Sequence, residues 1–233
     1  MRWLARSALV LLLPATAADA HVSISSGPAQ ATKAQVITFA VAHGCEDADK
    51  KHLDTIKVKV VIPEGVTKVR ALFSDFGRPT LTRNKDVVTA VEWTKPAADL
   101  LDEDDSYYEL KIRATMPDAA YTKLTFVVEQ TCEDATTHNQ VVVNWNAPED
   151  STTDPAPVLT LTPAHTAGWN KLTVPRAISQ DEMPIYLGDA QIVWRGNQAY
   201  SSSSVTAQLI TTTSGVTALS GGLQANDEIW VKY

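Results

Sequence analysis

The chain has 233 residues, 44% of them hydrophobic, with 20 basic against 27 acidic side chains and a formal net charge of −7. That balance argues against a nucleic-acid partner, whose phosphates would be repelled, and leaves cations open as ligands. Only two cysteines are present, Cys45 and Cys132.

The first twenty residues read as a secretory signal peptide. Arg2 and Arg6 supply the positive start, ALVLLLPATAA the apolar core, and Ala18-Asp19-Ala20 the small-residue cleavage site. The apolar run is about half the roughly 20 residues that span a bilayer as a helix, so it predicts removal rather than anchoring. No later segment is apolar enough to cross, so the mature chain is expected to carry no transmembrane segment. Loss of Arg2, Arg6 and Asp19 takes the charge from −7 to −8. The product is expected outside the cytoplasm, periplasmic or extracellular, with His21 as its first residue. Two cysteines in that oxidising setting predict a Cys45–Cys132 disulfide rather than free thiols.

From His21 to about residue 148 the chain reads as short strands: QVITFAVA, TIKVKVVIP, VVTAVEW, YYELKIRATM, KLTFVVEQT and QVVVNW. In TIKVKVVIP, Ile56, Val58, Val60 and Ile62 alternate with Lys57 and Lys59, the period of a half-buried strand. Segments such as PEG and MPDAA punctuate them. PAADLLDEDD is at most a turn of helix. The acidic LDEDDS lacks EF-hand spacing and reads as a solvated loop rather than a calcium site. The pattern predicts an all-β protein, an antiparallel β-sandwich of immunoglobulin-like or cupredoxin-like shape over residues 21–148.

After Trp145 the composition shifts to Pro, Ser, Thr and Asp, which predicts a linker over 149–167, or a loosely attached strand. Residues 168–233 turn β-prone again. AQIVWRGNQAY, SVTAQLITTTSGVTALSG and DEIWVKY predict hairpins, either in a second small β-rich domain or as an extension of the first sandwich.

His21 carries the sharpest chemistry. A free amino-terminal histidine offers its α-amine and its imidazole Nδ1 to one ion, closing a six-membered ring; a peptide-bonded histidine has lost the amine to the amide. Such groups titrate near about 8 and 6.5, so a metal displaces their protons readily at neutral pH. Two nitrogens in a plane suit Cu(II). The plain alternative is that some residue must come first after cleavage.

The order and spacing of HVSI, HGCE, VIPEGV, VEW followed by YYEL, MPD and VVEQTCED…VNW resemble the YcnI family of exported copper-binding proteins over residues 21–148. The resemblance implies one β-sandwich and a monohistidine brace, in which the mature N-terminal histidine holds Cu(II) beside an acidic ligand and under a tryptophan. By position, His21 matches the chelating histidine and Trp145 the tryptophan after the second cysteine. Glu109 in YYEL fits the acidic ligand best, with Glu129 and Glu92 as poorer fits. It further implies a non-enzymatic role in copper trafficking, storage or homeostasis, with copper-trafficking proteins of the envelope as partners. Read without the family, Trp145 could equally be a core side chain and Glu109 an exposed strand carboxylate.

Two other functions stay open at this point. A copper monooxygenase needs a second imidazole at the metal, and His43, His52, His138 and His165 read as local or loop residues. A metal-independent binding or adhesion module is kept open by the C-terminal stretch, which the resemblance does not reach. No nucleophile elbow, phosphate loop or zinc-protease helix is present.

Overall fold

The computed structural model describes residues 21–102 and 106–233, so the predicted signal peptide and the middle of LDEDDS lie outside the described residues. The first part of the chain forms β1 (Ser23–Ile24), β2 (Ala29–Gln30), β3 (Ala34–Val41), β4 (Cys45–Glu46), β5 (His52–Val61) and β6 (Thr67–Ala71). There follow β7 (Pro79–Asn84), β8 (Val87–Thr94), β9 (Tyr108–Thr115), β10 (Thr122–Thr125), β11 (Val128–Glu133) and β12 (Gln140–Trp145). The remainder forms β13 (Val158–Thr162), β14 (Trp169–Thr173), α1 (Met183–Leu187), β15 (Ile192–Arg195), β16 (Gln198–Tyr200), α2 (Ser204–Thr212), β17 (Thr217–Ala218) and β18 (Glu228–Lys232).

The alternation seen in sequence becomes the inner faces of a β-sandwich. One sheet runs β1-β3-β9-β6 and the other β12-β11-β5-β8-β7, with β4 added on β5. Phe39 of β3 opposes Leu110 of β9, and Ile37 opposes Ile112, all fully buried. On the second sheet Val58 and Val60 oppose Trp93 and Val91, again fully buried. Both sets belong to one core, where the rings of Phe39 and Phe126 meet edge to face at 5.3 Å. Burying each such side chain contributes about 1.5–3 kcal/mol. An antiparallel all-β sandwich is therefore the observed fold class.

The stretch predicted as a linker contains β13, the middle strand of a third sheet ordered β10-β13-β2. Leu159 and Leu161 enter the sandwich core with Ala29 of β2. The prolines that suggested a linker stand just outside the strand: Pro157 precedes Val158 and Pro163 follows Thr162. Placed there they remove no ladder hydrogen bond.

Residues 169–232 form a separate sheet, β14-β18-β15-β16-β17, over a core that includes Val174, Ile178, Met183, Leu187, Val193, Leu223, Ile229 and Val231. SVTAQLITT is a helix here rather than half of a hairpin. Its Thr, Val and Ile residues favour strands and Val205, Ala207 and Leu209 alternate as in one, yet the segment folds as a helix with Ile210 as its buried residue. Among the described residues no helix is long and apolar enough to cross a membrane.

The two cores are stitched together at Tyr121, which packs in the C-terminal cluster. Arg176 Nε donates to the Tyr121 carbonyl at 2.9 Å, and Nη2 donates to Glu182 at 2.8 Å. His165 stacks on Tyr233 with ring centroids 3.5 Å apart. Arg176, and then the Ser179 backbone N–H, pull the Glu182 carboxyl down to about 2 from its ordinary 4.5. A lowered folded value means this pair's stabilisation is complete above pH 4.5 and lost as pH falls towards 2. Both side chains are partly exposed, so the contribution is small. Glu182→Gln is expected to lower stability slightly above pH 4.5, pH 7 included, and to leave it unchanged near pH 2, so that the acid limb between those values flattens, as read by urea unfolding.

A polar centre sits inside the sandwich near its end. Asp54 and Lys95 are buried, at 0% and 5% side-chain exposure, with Lys95 Nζ 2.5 Å from Asp54 Oδ2. Tyr108 donates its hydroxyl to Asp54 Oδ1 at 2.9 Å, and the Leu101 N–H donates to Oδ2 at 2.9 Å. Lys95 also donates to the Tyr108 oxygen at 2.6 Å and lies over the Phe76 and Tyr108 rings.

Candidate metal centre

His21 is placed by the residues that follow it. Val22 is buried in the core at 2% exposure, and Ser23 and Ile24 pair with Ala40 and Phe39 as edge strand β1. Trp145 ends β12, the edge strand of the facing sheet. The two edges meet there: the His21 and Trp145 rings are 5.3 Å apart, edge to face at 76°. Sequence reasoning paired these residues through the family resemblance, and the structure brings them into contact.

The indole is held from behind. Trp145 is 6% exposed, and its Nε1 donates to Gln130 Oε1 at 3.0 Å. The Gln130 Nε2 donates to the His43 carbonyl at 2.9 Å and to Thr55 Oγ1 at 2.8 Å. Gln130 therefore spends both ends of its amide fixing the tryptophan and the segment before Cys45. Sequence reading missed it, although it shares the inward parity of Val128 and Cys132 on β11. A polar residue in that register needs partners, because burying an unpaired amide costs about 1–3 kcal/mol.

Cys45 and Cys132 form the predicted disulfide, with Cα atoms 5.8 Å apart. With Leu53 they make a small cluster beside the main core. The bridge ties β4, two residues beyond His43, to the strand that carries Gln130.

Glu109 stands elsewhere. Ser23, Ala40 and Glu109 form one row across β1, β3 and β9, so Glu109 lies two strand spacings from Ser23, roughly 10 Å. Its carboxylate pairs with Lys111 at 2.8 Å on the exposed face. The neighbours of Glu109 on β9, Tyr108 and Leu110, take the inward side. Among the described residues no three His, Cys, Asp or Glu side chains converge as a metal cluster. His138 contacts Glu133 at 2.9 Å, and His52 opposes Glu46 at the start of β5. What the arrangement offers chemically is one half-exposed imidazole against a fixed indole, at the first residue of the expected mature chain.

Solved structures give loose likenesses. A protein from Nocardia farcinica, whose crystal structure "reveals an immunoglobulin-like fold", is 26% identical, with 60% of this chain and 97% of that one covered and a TM-score of 0.48. A C-terminal fragment of the major pilin GBS80 of Streptococcus agalactiae and the Bacillus cereus major pilin subunit BcpA are each 11% identical with TM-scores of 0.36. Both cover 91% of this chain, with 77% and 54% of their own chains covered. Among curated proteins none matches the chain. Residues 78–161 match the family described as "Domain of unknown function (DUF1775)", the family of YcnI-like proteins, and over that stretch the chain is similar to it.

Proposed function

We propose that this is an exported Cu(II)-binding protein of copper trafficking, storage or homeostasis, gripping the ion through the amine and imidazole of a mature N-terminal His21 beside Trp145. The observation that carries the reading is the His21–Trp145 ring contact at the meeting of two sheet edges. Val22 and β1 pin the backbone immediately after His21, so the chelating residue starts from a fixed position and less freedom is lost on binding. The indole, itself locked by Gln130, keeps water from one side of the imidazole and presents π-density to a cation. A Cu(II) ion there supplies no turnover in this reading; the protein holds and hands on metal.

Glu109 would have to leave Lys111 and cross the strand row to serve as the acidic ligand, so the reading rests on His21 and Trp145. Added to the protein that begins at His21, one equivalent of Cu(II) is expected to quench a distinct fraction of tryptophan fluorescence. That fraction disappears in Trp145→Phe and persists in Glu109→Gln, whose affinity changes less than about tenfold, or 1.4 kcal/mol. Quenching that survives Trp145→Phe in full would count against the site.

A further inference from the structure

The C-terminal sheet carries three tryptophans on one open face. Register sets Trp194 opposite Trp230, Trp230 opposite Lys171, and Trp169 opposite Lys232. Opposed residues, and residues two apart along a strand, project to the same side of a sheet. Trp169, Trp230 and Trp194 therefore share a face, while Ile229, Val231 and Val193 turn into the core. Trp169 and Trp230 are 54% and 50% exposed. Together with Gly196 the three rings line a shallow depression of about 470 Å³. Single exposed aromatics are ordinary, but three in a row mark an interaction site.

Size and charge select the occupant. A tryptophan buries about 150–250 Å² when fully covered, so two half-exposed rings and the less exposed Trp194 offer on the order of 250 Å². A stable protein–protein interface needs about 800 Å² from each partner. A bilayer with anionic lipids is attracted by an excess of Lys and Arg, yet residues 168–233 hold more acidic than basic side chains. Lys171 is paired with Glu228 at 2.8 Å on this same face, and Arg195 with Asp227 at 2.6 Å. The patch is thus aromatic and narrow, and Lys232, opposite Trp169 on the same face, leaves it about one positive charge rather than the cluster of cations that an anionic surface selects.

We propose that this tryptophan face binds a neutral β-1,4-linked glycan, with successive pyranose rings stacked on Trp169, Trp230 and Trp194. A pyranose whose substituents are equatorial shows a face of axial C–H groups, and these seat on the negative face of an indole. Linked β-1,4, such rings form a flat ribbon that repeats the C–H face along its length. Trp194 stands beside Trp230, and Trp169 lies diagonal to Trp230 two residues further along, so the three rings cross the sheet obliquely over roughly 12 Å, whereas a helically coiled α-linked glucan lifts away after one contact. Lys171 and Glu228 at the rim can hydrogen-bond the ribbon's hydroxyls. The face uses none of the residues of the copper reading, so either can fail alone.

The test is titration of the protein from His21 to Tyr233 with cellohexaose, chitohexaose and, as the coiled control, maltohexaose, read by tryptophan fluorescence and calorimetry. Saturable binding of at least one β-linked oligosaccharide is expected, with none of maltohexaose. Trp230→Ala and Trp169→Ala should each weaken it about tenfold while circular dichroism stays that of the parent, and Trp145→Phe should leave it intact. Lack of binding to both β-linked sugars overturns the proposal. So does binding that both tryptophan variants preserve, or a face that instead takes phosphatidylglycerol vesicles or a second copy of the chain by sedimentation.

Discussion

Asp54→Ala is expected to destabilise the protein by about 3–5 kcal/mol, the cost of breaking a buried ion pair from one side. The variant leaves the Lys95 ammonium in the core with the Tyr108 oxygen and the faces of the Phe76 and Tyr108 rings as partners, and strips an acceptor from both the Leu101 N–H and the Tyr108 hydroxyl. A loss of that size is a large part of the 5–15 kcal/mol that typically holds a domain folded. Lys95→Met is expected to cost as much in kind, since it leaves the carboxylate. Replacing both, with Asp54→Leu and Lys95→Met, removes both desolvated charges, so the double variant should be more stable than either single one. Urea unfolding of the three variants decides it. Single variants within about 0.5 kcal/mol of the parent, the range of ordinary surface changes, would mean the pair is not buried as described.

Losing the Cys45–Cys132 bridge is the second large effect. The bridge closes a separation of 87 residues, and freeing it gives the unfolded chain back freedom worth about 4–5 kcal/mol. For a chain of this size each kcal/mol moves the melting midpoint by about 2–4 °C, so Cys45→Ser with Cys132→Ser is expected to melt roughly 10 °C lower. The same change loosens the candidate site. The bridge joins the segment after His43 to β11, and Gln130 on β11 holds both the His43 carbonyl and the Trp145 indole. Weaker Cu(II) binding should therefore accompany the lower midpoint, whereas an unchanged midpoint under reductant would show that the bridge contributes little.

Much of the sandwich was legible because alternation is a strong signal where one sheet face is buried. QVITFAVA, TIKVKVVIP, YYELKIRATM and QVVVNW all lie in strands of the structure. Two stretches misled for physical reasons. Prolines at 155, 157 and 163 read as a linker, although they flank β13 instead of interrupting it. The β-branched residues of SVTAQLITT read as a strand, although they fold as a helix.

The site was legible in a different way. Val22, Ser23 and Ile24 alternate visibly, but nothing local says that β1 and β12 are edge strands whose ends meet, so the His21–Trp145 contact came from the family resemblance. Glu109 also came from resemblance, and its outward parity on β9 was the local sign against it. Lys95 kept the parity of Trp93 and Gln130 that of Val128, whereas a bulge in β5 between Lys57 and Thr55 separates Asp54 from the alternation of Val58. A charged or amide side chain in a core register was the signal passed over. The tryptophan face was hidden because strand order, which sequence does not display, puts β14, β18 and β15 side by side.

The central claim is that a freed amino group and the imidazole of one residue together clamp Cu(II). It is tested most directly by comparing the protein that begins at His21 with the same protein carrying one alanine before it, using Cu(II) titration and electron paramagnetic resonance. The account predicts stoichiometric binding with two nitrogens from His21 in the first, and at least about a hundredfold weaker binding, some 2.8 kcal/mol, with that signal lost in the second. Equal affinity and identical spectra in the two proteins would contradict it.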